Sequence, residues 1–298
     1  MSTHRQGLAQ VHAAVFLFGL SGLLGKMISA PPLVIVFGRA AMAALALGVF
    51  LLGRKPGTAE TRSIWRALFL VGSGALLAGH WWAFFQAIQV STVALALLTF
   101  ATFPLFVTFL EPVFFGERLR VREVTAALAV SAGLALVVPS FDFATRAAQG
   151  AAWGTLSGFT FAVLAVLNRK FAQQMSPVTI AAGQNGVAAL VLLPWIALAR
   201  PALSERDAGL IVVLGLLCTA LAHWLFIRGL ARVKAQTAAV LTALEPVYGI
   251  LLALLVLREM PSARMIAGGA IILAATAWVS LRRETRAISD STIATERL

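Results

Sequence analysis

The sequence predicts an all-α integral membrane protein of ten transmembrane helices, arranged as two inverted five-helix repeats, and three observations lead to this fold class. Hydrophobic residues make up 60% of the 298-residue chain, charged residues make up 12%, and the mean hydropathy is +0.89. A soluble core cannot absorb so much apolar surface. Basic residues are concentrated in alternate breaks between the apolar runs, and the chain aligns with itself at an offset of 142 residues.

The apolar runs place the individual spans. A spanning helix needs about 20 apolar residues at a rise of 1.5 Å each. The first run follows His4 and Arg5 like a signal peptide, but it continues to Lys26 and has a counterpart in the second half, which favours a retained span. The predicted spans lie near 8–27, 33–53, 65–88, 91–115, 121–140, 148–168, 177–198, 208–227, 235–257 and 263–281.

The net charge of +12 has to be divided among the loops before it can be interpreted. Of the 24 Lys and Arg residues, 17 fall in one set of alternate breaks, six fall in the other set, and Arg39 lies inside the second span. The positive-inside rule therefore places both termini in the cytoplasm. The positive net charge therefore reflects membrane topology, and we expect no nucleic-acid partner.

The internal repeat is the third observation. The segment 101–104 ends in Pro104 and is followed by Glu117, and the segment 243–246 ends in Pro246 and is followed by Glu259 at the same spacing. Five spans per half make the second half enter the membrane from the opposite side, and inverted repeats are typical of alternating-access transporters. The predicted units are a first five-helix repeat at 1–140, a second at 148–281, and a cytoplasmic tail at 282–298.

These features make the sequence similar to a known protein family. The Pro-to-Glu spacing, the five-plus-five arrangement and the short uncharged link Gln89 to Ser91 resemble the EamA-type members of the drug/metabolite transporter superfamily, over the region from Ala9 to about Leu281. Single-chain bacterial members of this length look like the YddG-type amino acid exporters. The resemblance implies a transporter of the bacterial inner membrane that exports amino acids, aromatic and other, or similar small metabolites. The direction of transport rests on the resemblance alone.

Ionisable groups at membrane depth are the first candidates for a substrate site. Glu245, beside Pro246 and in helical register with Thr237 and Tyr248, is expected to bind a substrate ammonium group or to cycle a proton, or else to pair with a neighbouring helix. His80 begins an aromatic-rich run in the third span, and His223 is its counterpart in the eighth. The predicted substrate-binding residues are His80, Trp82, Phe84, Thr99, Trp153, Phe161, Glu245 and Tyr248.

A second group of residues is predicted to bend helices or to gate the pathway. Pro104 and Pro246 are equivalent in the repeat, and each frees a backbone carbonyl. Arg39 lies about two turns inside the second span, so we expect its guanidinium to snorkel to the membrane surface. Its repeat partner Gln184 lies at a mirrored depth, which favours a hydrogen-bonding or gating role for the pair.

The sequence lacks the motifs of several other classes. It has no phosphate-binding GxxxxGK[ST] loop, no HExxH, no Cys-rich metal spacing and no serine nucleophile elbow. We therefore expect no enzyme activity, catalytic residue, cofactor or metal, and only a small-molecule substrate, most simply an amino acid, and the lipid bilayer as partners of a monomeric protein.

Two alternatives stay open. A carrier of drugs, nucleotide sugars or lipid-linked metabolites is the first; for the sugar carriers several cationic residues facing the cavity are expected, and only Arg39 qualifies. A non-transporting membrane scaffold or intramembrane enzyme is the second; a paired set of catalytic groups or a soluble domain would favour it, and the sequence shows neither.

Overall fold

A computed structural model describes residues 3–53, 63–115, 121–138, 142–171, 174–230, 232, 241–242, 244–275 and 277–278. Within these ranges the regular structure is helical and contains no strand. Thr237, Glu117 and the predicted tail 282–298 lie outside the described residues. The helices are α1 Thr3–Met27, α2 Pro32–Leu52, α3 Ile64–Val90, α4 Val93–Phe100, α5 Phe103–Phe115, α6 Val121–Val137, α7 Arg146–Phe171, α8 Pro177–Ala199, α9 Glu205–Gly215, α10 Ala222–Leu230, α11 Glu245–Leu257 and α12 Ala263–Ala275.

The helices agree with a multi-pass membrane protein. In the described part of the chain, seven helical segments are long and apolar enough to cross a bilayer: α1, α2, α3, α4 with α5, α7, α8, and α9 with α10. Shorter apolar helices, α6, α11 and α12, fall where the fifth, ninth and tenth spans are predicted. The count of ten spans stays a prediction, because those three regions adjoin residues outside the described ranges.

The outer surface of the bundle is apolar. Large hydrophobic side chains are exposed on most of the long helices, including Leu45, Leu52, Trp65, Trp195 and Leu198. A helix that is apolar on its outward face as well as its inward face is the form expected in a lipid solvent. Lipid chains cover this surface in the membrane.

The two repeat-related prolines lie at helix interruptions. The predicted fourth span is divided, because α4 ends at Phe100 and α5 begins at Phe103, one residue before Pro104. The amide of Thr102 donates to Thr99 O at 3.3 Å in a tighter turn. In the predicted ninth span, a turn at Leu244 precedes α11. Pro246 lies in the first helical turn of α11. Proline has no amide hydrogen to donate, so it is tolerated at the start of a helix.

Small residues bring the helices close together, and two glycines are examples. A β-carbon built on Gly19 of α1 would lie 2.9 Å from the backbone nitrogen of Gly249 in α11, and one built on Gly158 of α7 would lie 2.8 Å from Phe100 O in α4. Such close backbone approach is typical of helix packing in membranes. The first helix therefore packs on α10 and α11, and α7 packs on α3, α4 and α5.

The predicted eighth span contains a wide turn. Between α9 and α10 the chain forms a π-helical turn, Leu216–Leu221, in which Cys218 and Thr219 are buried. Single π turns inside α-helices occur frequently at functional sites. This turn faces α2 and α1.

Candidate functional site

An aromatic cluster occupies the interior between α3, α4, α5 and α7. Its members are Phe84, Phe100, Phe103, Phe161 and the ring of His80. The ring centroids of Phe103 and Phe161 are 5.1 Å apart and edge-to-face, and those of His80 and Phe161 are 5.4 Å apart. The structure brings together three predicted residues, His80, Phe84 and Phe161. Sequence reasoning missed Phe100 and Phe103, although both lie in the predicted fourth span; their rings stack at 5.5 Å across the break between α4 and α5.

His80 connects the aromatic cluster to α7. Its side chain is buried, and Nδ1 lies 3.0 Å from both the hydroxyl and the carbonyl oxygen of Ser157. Thr99 is also fully buried, but its hydroxyl donates within its own helix to Leu95 O at 2.8 Å. The backbone of Gly154 approaches Thr99 closely. Thr99 thus packs α4 against α7, whereas His80 presents an imidazole to the cluster.

The two predicted tryptophans form a separate pair. The rings of Trp82 and Trp153 are 5.1 Å apart and tilted, and Trp82 is 36% exposed. The ring contacts of the aromatic cluster do not include either residue among those described. The structure therefore places them at the side of α3 and α7, apart from His80.

Arg39 is buried in the protein interior. The side chain is 3% exposed, and its Nε donates to Thr219 Oγ1 in the π turn at 2.9 Å. Weaker contacts join the guanidinium to Ser21 Oγ at 3.3 Å and Cys218 O at 3.4 Å, and its carbon lies 4.1 Å from the ring centroid of Trp81. The expectation that Arg39 snorkels is wrong, because the π turn and the tryptophan ring supply acceptors and a π face inside the bundle.

Glu245 completes a group of ionisable side chains around Arg39. It is 5% exposed in the first turn of α11, and among the described residues no ion pair within 4.0 Å joins it to Arg39. His80 directly precedes Trp81, whose ring contacts Arg39, and the half-buried His223 lies two residues after the π turn that Arg39 contacts. We call Arg39, His80, His223 and Glu245 the polar centre. They come from four different predicted spans, and ionisable groups at this depth are costly unless they serve one another or a ligand.

Gln184 is fully buried on α8. Its amide nitrogen donates to Asn168 Oδ1 on α7 at 2.7 Å and to Ser73 Oγ on α3 at 3.0 Å. The neighbouring Asn185 donates to Ala181 O at 2.8 Å. Gln184 Oε1 and Asn185 Oδ1 are buried and lack a hydrogen-bond partner among the described residues. Buried amide oxygens without a donor are uncommon, and they leave this site incompletely satisfied.

Arg39 and Gln184 hold matching positions in the two halves. Arg39 lies seven residues after the start of α2 at Pro32, and Gln184 lies seven residues after the start of α8 at Pro177. At 1.5 Å per residue each is about 10 Å inside its helix. Arg39 contacts α1 and the π turn, and Gln184 contacts α7 and α3. We call these two sets of contacts the Arg39 clasp and the Gln184 clasp.

Tyr248 faces α1 and contacts His12, a residue that sequence reasoning missed. Its hydroxyl lies 2.5 Å from His12 Nε2, and the two rings are edge-to-face at 5.6 Å. The pair lies on a groove of about 800 Å³. A histidine within the first apolar run was the available signal for His12. We call this the α1 groove; it is lined by Leu8, Ala9, His12, Ala13, Phe16, Leu17, Leu221, Leu225, Leu241 and Tyr248.

Polar contacts tie several helices together where α1 ends, at what we call the Lys26 end. Lys26 Nζ donates to Ile88 O at 2.9 Å and to Ser91 O, both at the carboxyl end of α3, and lies 4.0 Å from Glu259 Oε1. The other carboxylate oxygen of Glu259 accepts from the amide of Val93, at the start of α4, at 2.9 Å. The cation at a helix C-terminus and the carboxylate at a helix N-terminus both favour this arrangement.

Two further bonds strengthen the Lys26 end. Gln89 Nε2 donates to Ala30 O at 2.8 Å, which links the end of α3 to the α1–α2 connection. Asp207 Oδ1, near the start of α9, accepts from the amide of Ser29 at 3.2 Å. At this end α1, α3, α4 and α9 are therefore joined to one another and to Glu259, which lies two residues after the end of α11.

Comparisons with known proteins agree with this architecture. A model of the EamA-like transporter family matches residues 5–138 and again residues 148–281. An uncharacterized transporter, YxxF, of Bacillus subtilis (strain 168) is 24% identical over 278 residues, covering 92% of this chain and 89% of the relative. An uncharacterized transporter of Archaeoglobus fulgidus is 30% identical over 192 residues, covering 64% of this chain and 68% of the relative.

A solved crystal structure has the same fold. It superposes with a TM-score of 0.68 at 23% identity, over 93% of this chain and 98% of the other. This likeness concerns the fold, whereas the family model covers nearly the whole sequence. The chain is a multi-pass membrane protein and belongs to the EamA-like transporter family.

Proposed function

We propose that the protein carries amino acids, aromatic ones included, or similar small metabolites across the bacterial inner membrane by alternating access. The observation that supports this substrate class is the polar centre beside the aromatic cluster. An amino acid needs an anionic partner for its ammonium group, a cationic partner for its carboxylate and an apolar place for its side chain. Glu245, Arg39 and the aromatic cluster around His80 offer these three features within one bundle.

The packing of the helices supports an inverted repeat. The first helix of one half, α1, packs on the predicted eighth and ninth spans, and the first helix of the other half, α7, packs on the third and fourth. The close backbone approaches at glycine show the same correspondence between the halves, since Gly19 of α1 packs against α11 and Gly158 of α7 packs against α4. The family model also matches each half separately. Secondary transporters built from inverted repeats bind substrate near the midplane between the halves.

The two clasps give alternating access a physical basis. Under the inverted repeat, α2 corresponds to α8, α1 to α7, and the π turn to α3, so the Arg39 clasp and the Gln184 clasp join corresponding helices at opposite depths. Both clasps are formed in this structure. Opening one side of the protein would separate the helices of one clasp and preserve the other. Pro104 and Pro246, at the interruptions of their spans, are the proposed bending points.

The contacts at the two ends of α1 support a state of the protein that is closed on the periplasmic side. With the termini in the cytoplasm, the Lys26 end faces the periplasm, and its polar contacts hold the helices together there. The α1 groove opens among residues of the opposite half of α1. Release to the periplasm then requires the contacts of Lys26 and Glu259 to break.

Transport in proteoliposomes tests the proposal. Purified protein is reconstituted, exchange of labelled phenylalanine is measured, and unlabelled amino acids, drugs and sugar nucleotides compete. We expect competition by amino acids with apolar side chains. Failure to exchange any amino acid would refute the substrate class.

Variants of the polar centre make the test specific. His80→Ala and Glu245→Gln are expected to reduce exchange at least tenfold at normal expression, because each removes a group that faces the proposed pathway. Glu205→Gln, which neutralises an exposed carboxylate at the start of α9, is the matched control and retains exchange. Wild-type rates in both polar-centre variants would remove this assignment without affecting the fold.

A further inference from the structure

The α1 groove has the shape and lining of a binding site of its own. Its volume of about 800 Å³ falls in the range of small-molecule sites, roughly 300–1,000 Å³. The lining residues of α1 extend from Leu8 to Leu17, whereas at Gly19 the backbone of α1 closes onto α11. The groove therefore begins where α1 and α11 separate, and it extends towards the amino-terminal end of α1.

The lining determines the chemistry of a ligand. Eight of the ten lining residues are Leu, Ala or Phe, and Lys, Arg, Asp and Glu are absent from the ten. An ionised ligand would lose its hydration without gaining a partner of opposite charge, which is unfavourable at membrane depth. The groove therefore favours an uncharged, apolar molecule.

The lining of the groove includes one polar contact. The hydroxyl of Tyr248 and Nε2 of His12 are within 2.5 Å, so each satisfies the other while the groove holds no ligand. A phenol hydroxyl donates and accepts at the same time, and an imidazole nitrogen does one or the other. A ligand N–H or O–H can therefore join this pair without breaking it. The ring of Phe16, 5.6 Å from that of Tyr248 and edge-to-face, adds an aromatic surface beside the polar contact.

We propose that the α1 groove binds an uncharged aromatic molecule that has a single hydrogen-bonding group, with Tyr248 and His12 contacting that group and Phe16 contacting the ring. The site is distinct from the polar centre, whose ionisable groups suit a zwitterion. It does not depend on the proposed transport of amino acids, since it requires only a neutral ligand and the groove that is present in the fold.

Equilibrium dialysis of labelled indole against the purified full-length protein tests the proposal. Indole is neutral and has one N–H, and indole-3-acetate has the same ring with a carboxylate. We expect saturable binding of indole and at least tenfold weaker binding of indole-3-acetate. Ala13→Phe places a ring in the groove and is expected to weaken indole binding at least tenfold, whereas Tyr248→Phe removes one hydrogen bond and weakens it about fivefold.

Ala67→Phe on the exposed face of α3 is the matched control and is expected to bind indole normally. Thermal unfolding of each variant shows whether it remains folded. Equal indole binding by the wild type and a folded Ala13→Phe variant would overturn the proposal, as would equal binding of indole and indole-3-acetate. Amino acid exchange is measured on the same samples, so a failure of the groove site is distinguished from a failure of the proposed function.

Discussion

Replacing Arg39 by glutamine makes the two clasps chemically alike and tests whether the Arg39 clasp holds the Lys26 end closed. Glutamine is the residue at the corresponding position of the second half, Gln184. It is expected to release α2 from α1 and from the π turn, because it is shorter and has no charge. The population of the state open at the Lys26 end should rise.

The structure gives the size of the effect. Arg39 donates three hydrogen bonds, and interhelical hydrogen bonds in membranes are worth about 0.6 kcal/mol each on average. Its guanidinium lies 4.1 Å from the Trp81 ring centroid, and a desolvated cation–π contact contributes about 2 kcal/mol. A glutamine at this position can keep one of the hydrogen bonds and loses the ring contact. The closed state should therefore lose about 3 kcal/mol, or roughly 100-fold in population ratio.

Cysteine labelling measures this shift. The single native cysteine is removed by Cys218→Ser, and Ile28→Cys places a thiol that is buried at the Lys26 end. The rate of reaction with a polar maleimide then reports how often this end opens. Arg39→Gln should accelerate labelling by one to two orders of magnitude, and Gln184→Leu should slow it. Arg39→Lys, which keeps the charge and loses the planar fork, should lie between the wild type and Arg39→Gln.

Unchanged labelling in a folded Arg39→Gln variant would refute the clasp. Acceleration by both Arg39→Gln and Gln184→Leu would show instead that the two residues stabilise the fold as a whole. The direction of the labelling change separates these results, because a clasp predicts opposite shifts for Arg39→Gln and Gln184→Leu, and thermal unfolding shows that each variant is folded.

Three further predictions follow from the packing. Lys26→Met should speed labelling at the Lys26 end about tenfold, since it removes two hydrogen bonds and the ion pair of that end; a rate equal to that of the parent would argue against a gate there. Pro104→Ala and Pro246→Ala should both slow exchange at normal expression, and normal transport in both would end the bending hypothesis. Gly19→Leu should lower the melting temperature by several degrees, because its β-carbon would lie 2.9 Å from α11, while Gly48→Leu, with open space around it, should not.

Much of the fold can be predicted from one-dimensional features of the sequence. Hydropathy identifies segments that must lie in lipid, and the spacing from Pro104 to Glu117 and from Pro246 to Glu259 suggests the EamA family, which the family model confirms. These features follow from residue type and spacing along one helix. The YddG-type likeness, the inverted orientation of the halves and the cargo stay predictions.

The site was predicted less completely, because the partner of a side chain depends on how helices cross. The run His80 to Phe85 placed four Trp and Phe residues in one span, but only the packing of α3 on α7 separates Phe84, in the cluster, from Trp82, at the surface. His12 lies in the first apolar run, and only the packing of α11 on α1 places Tyr248 beside it.

Arg39 shows the division between sequence and structure most clearly. The sequence by itself determined that a guanidinium lies about 10 Å inside an apolar helix, where it must either reach the surface or find partners. Only the tertiary structure decided between these outcomes, by placing the hydroxyl of Thr219, a carbonyl of the π turn and the ring of Trp81 around it. The physical reason is that the desolvation cost of a buried charge depends on the acceptors that other helices bring to it, and these are separated from Arg39 by long stretches of chain.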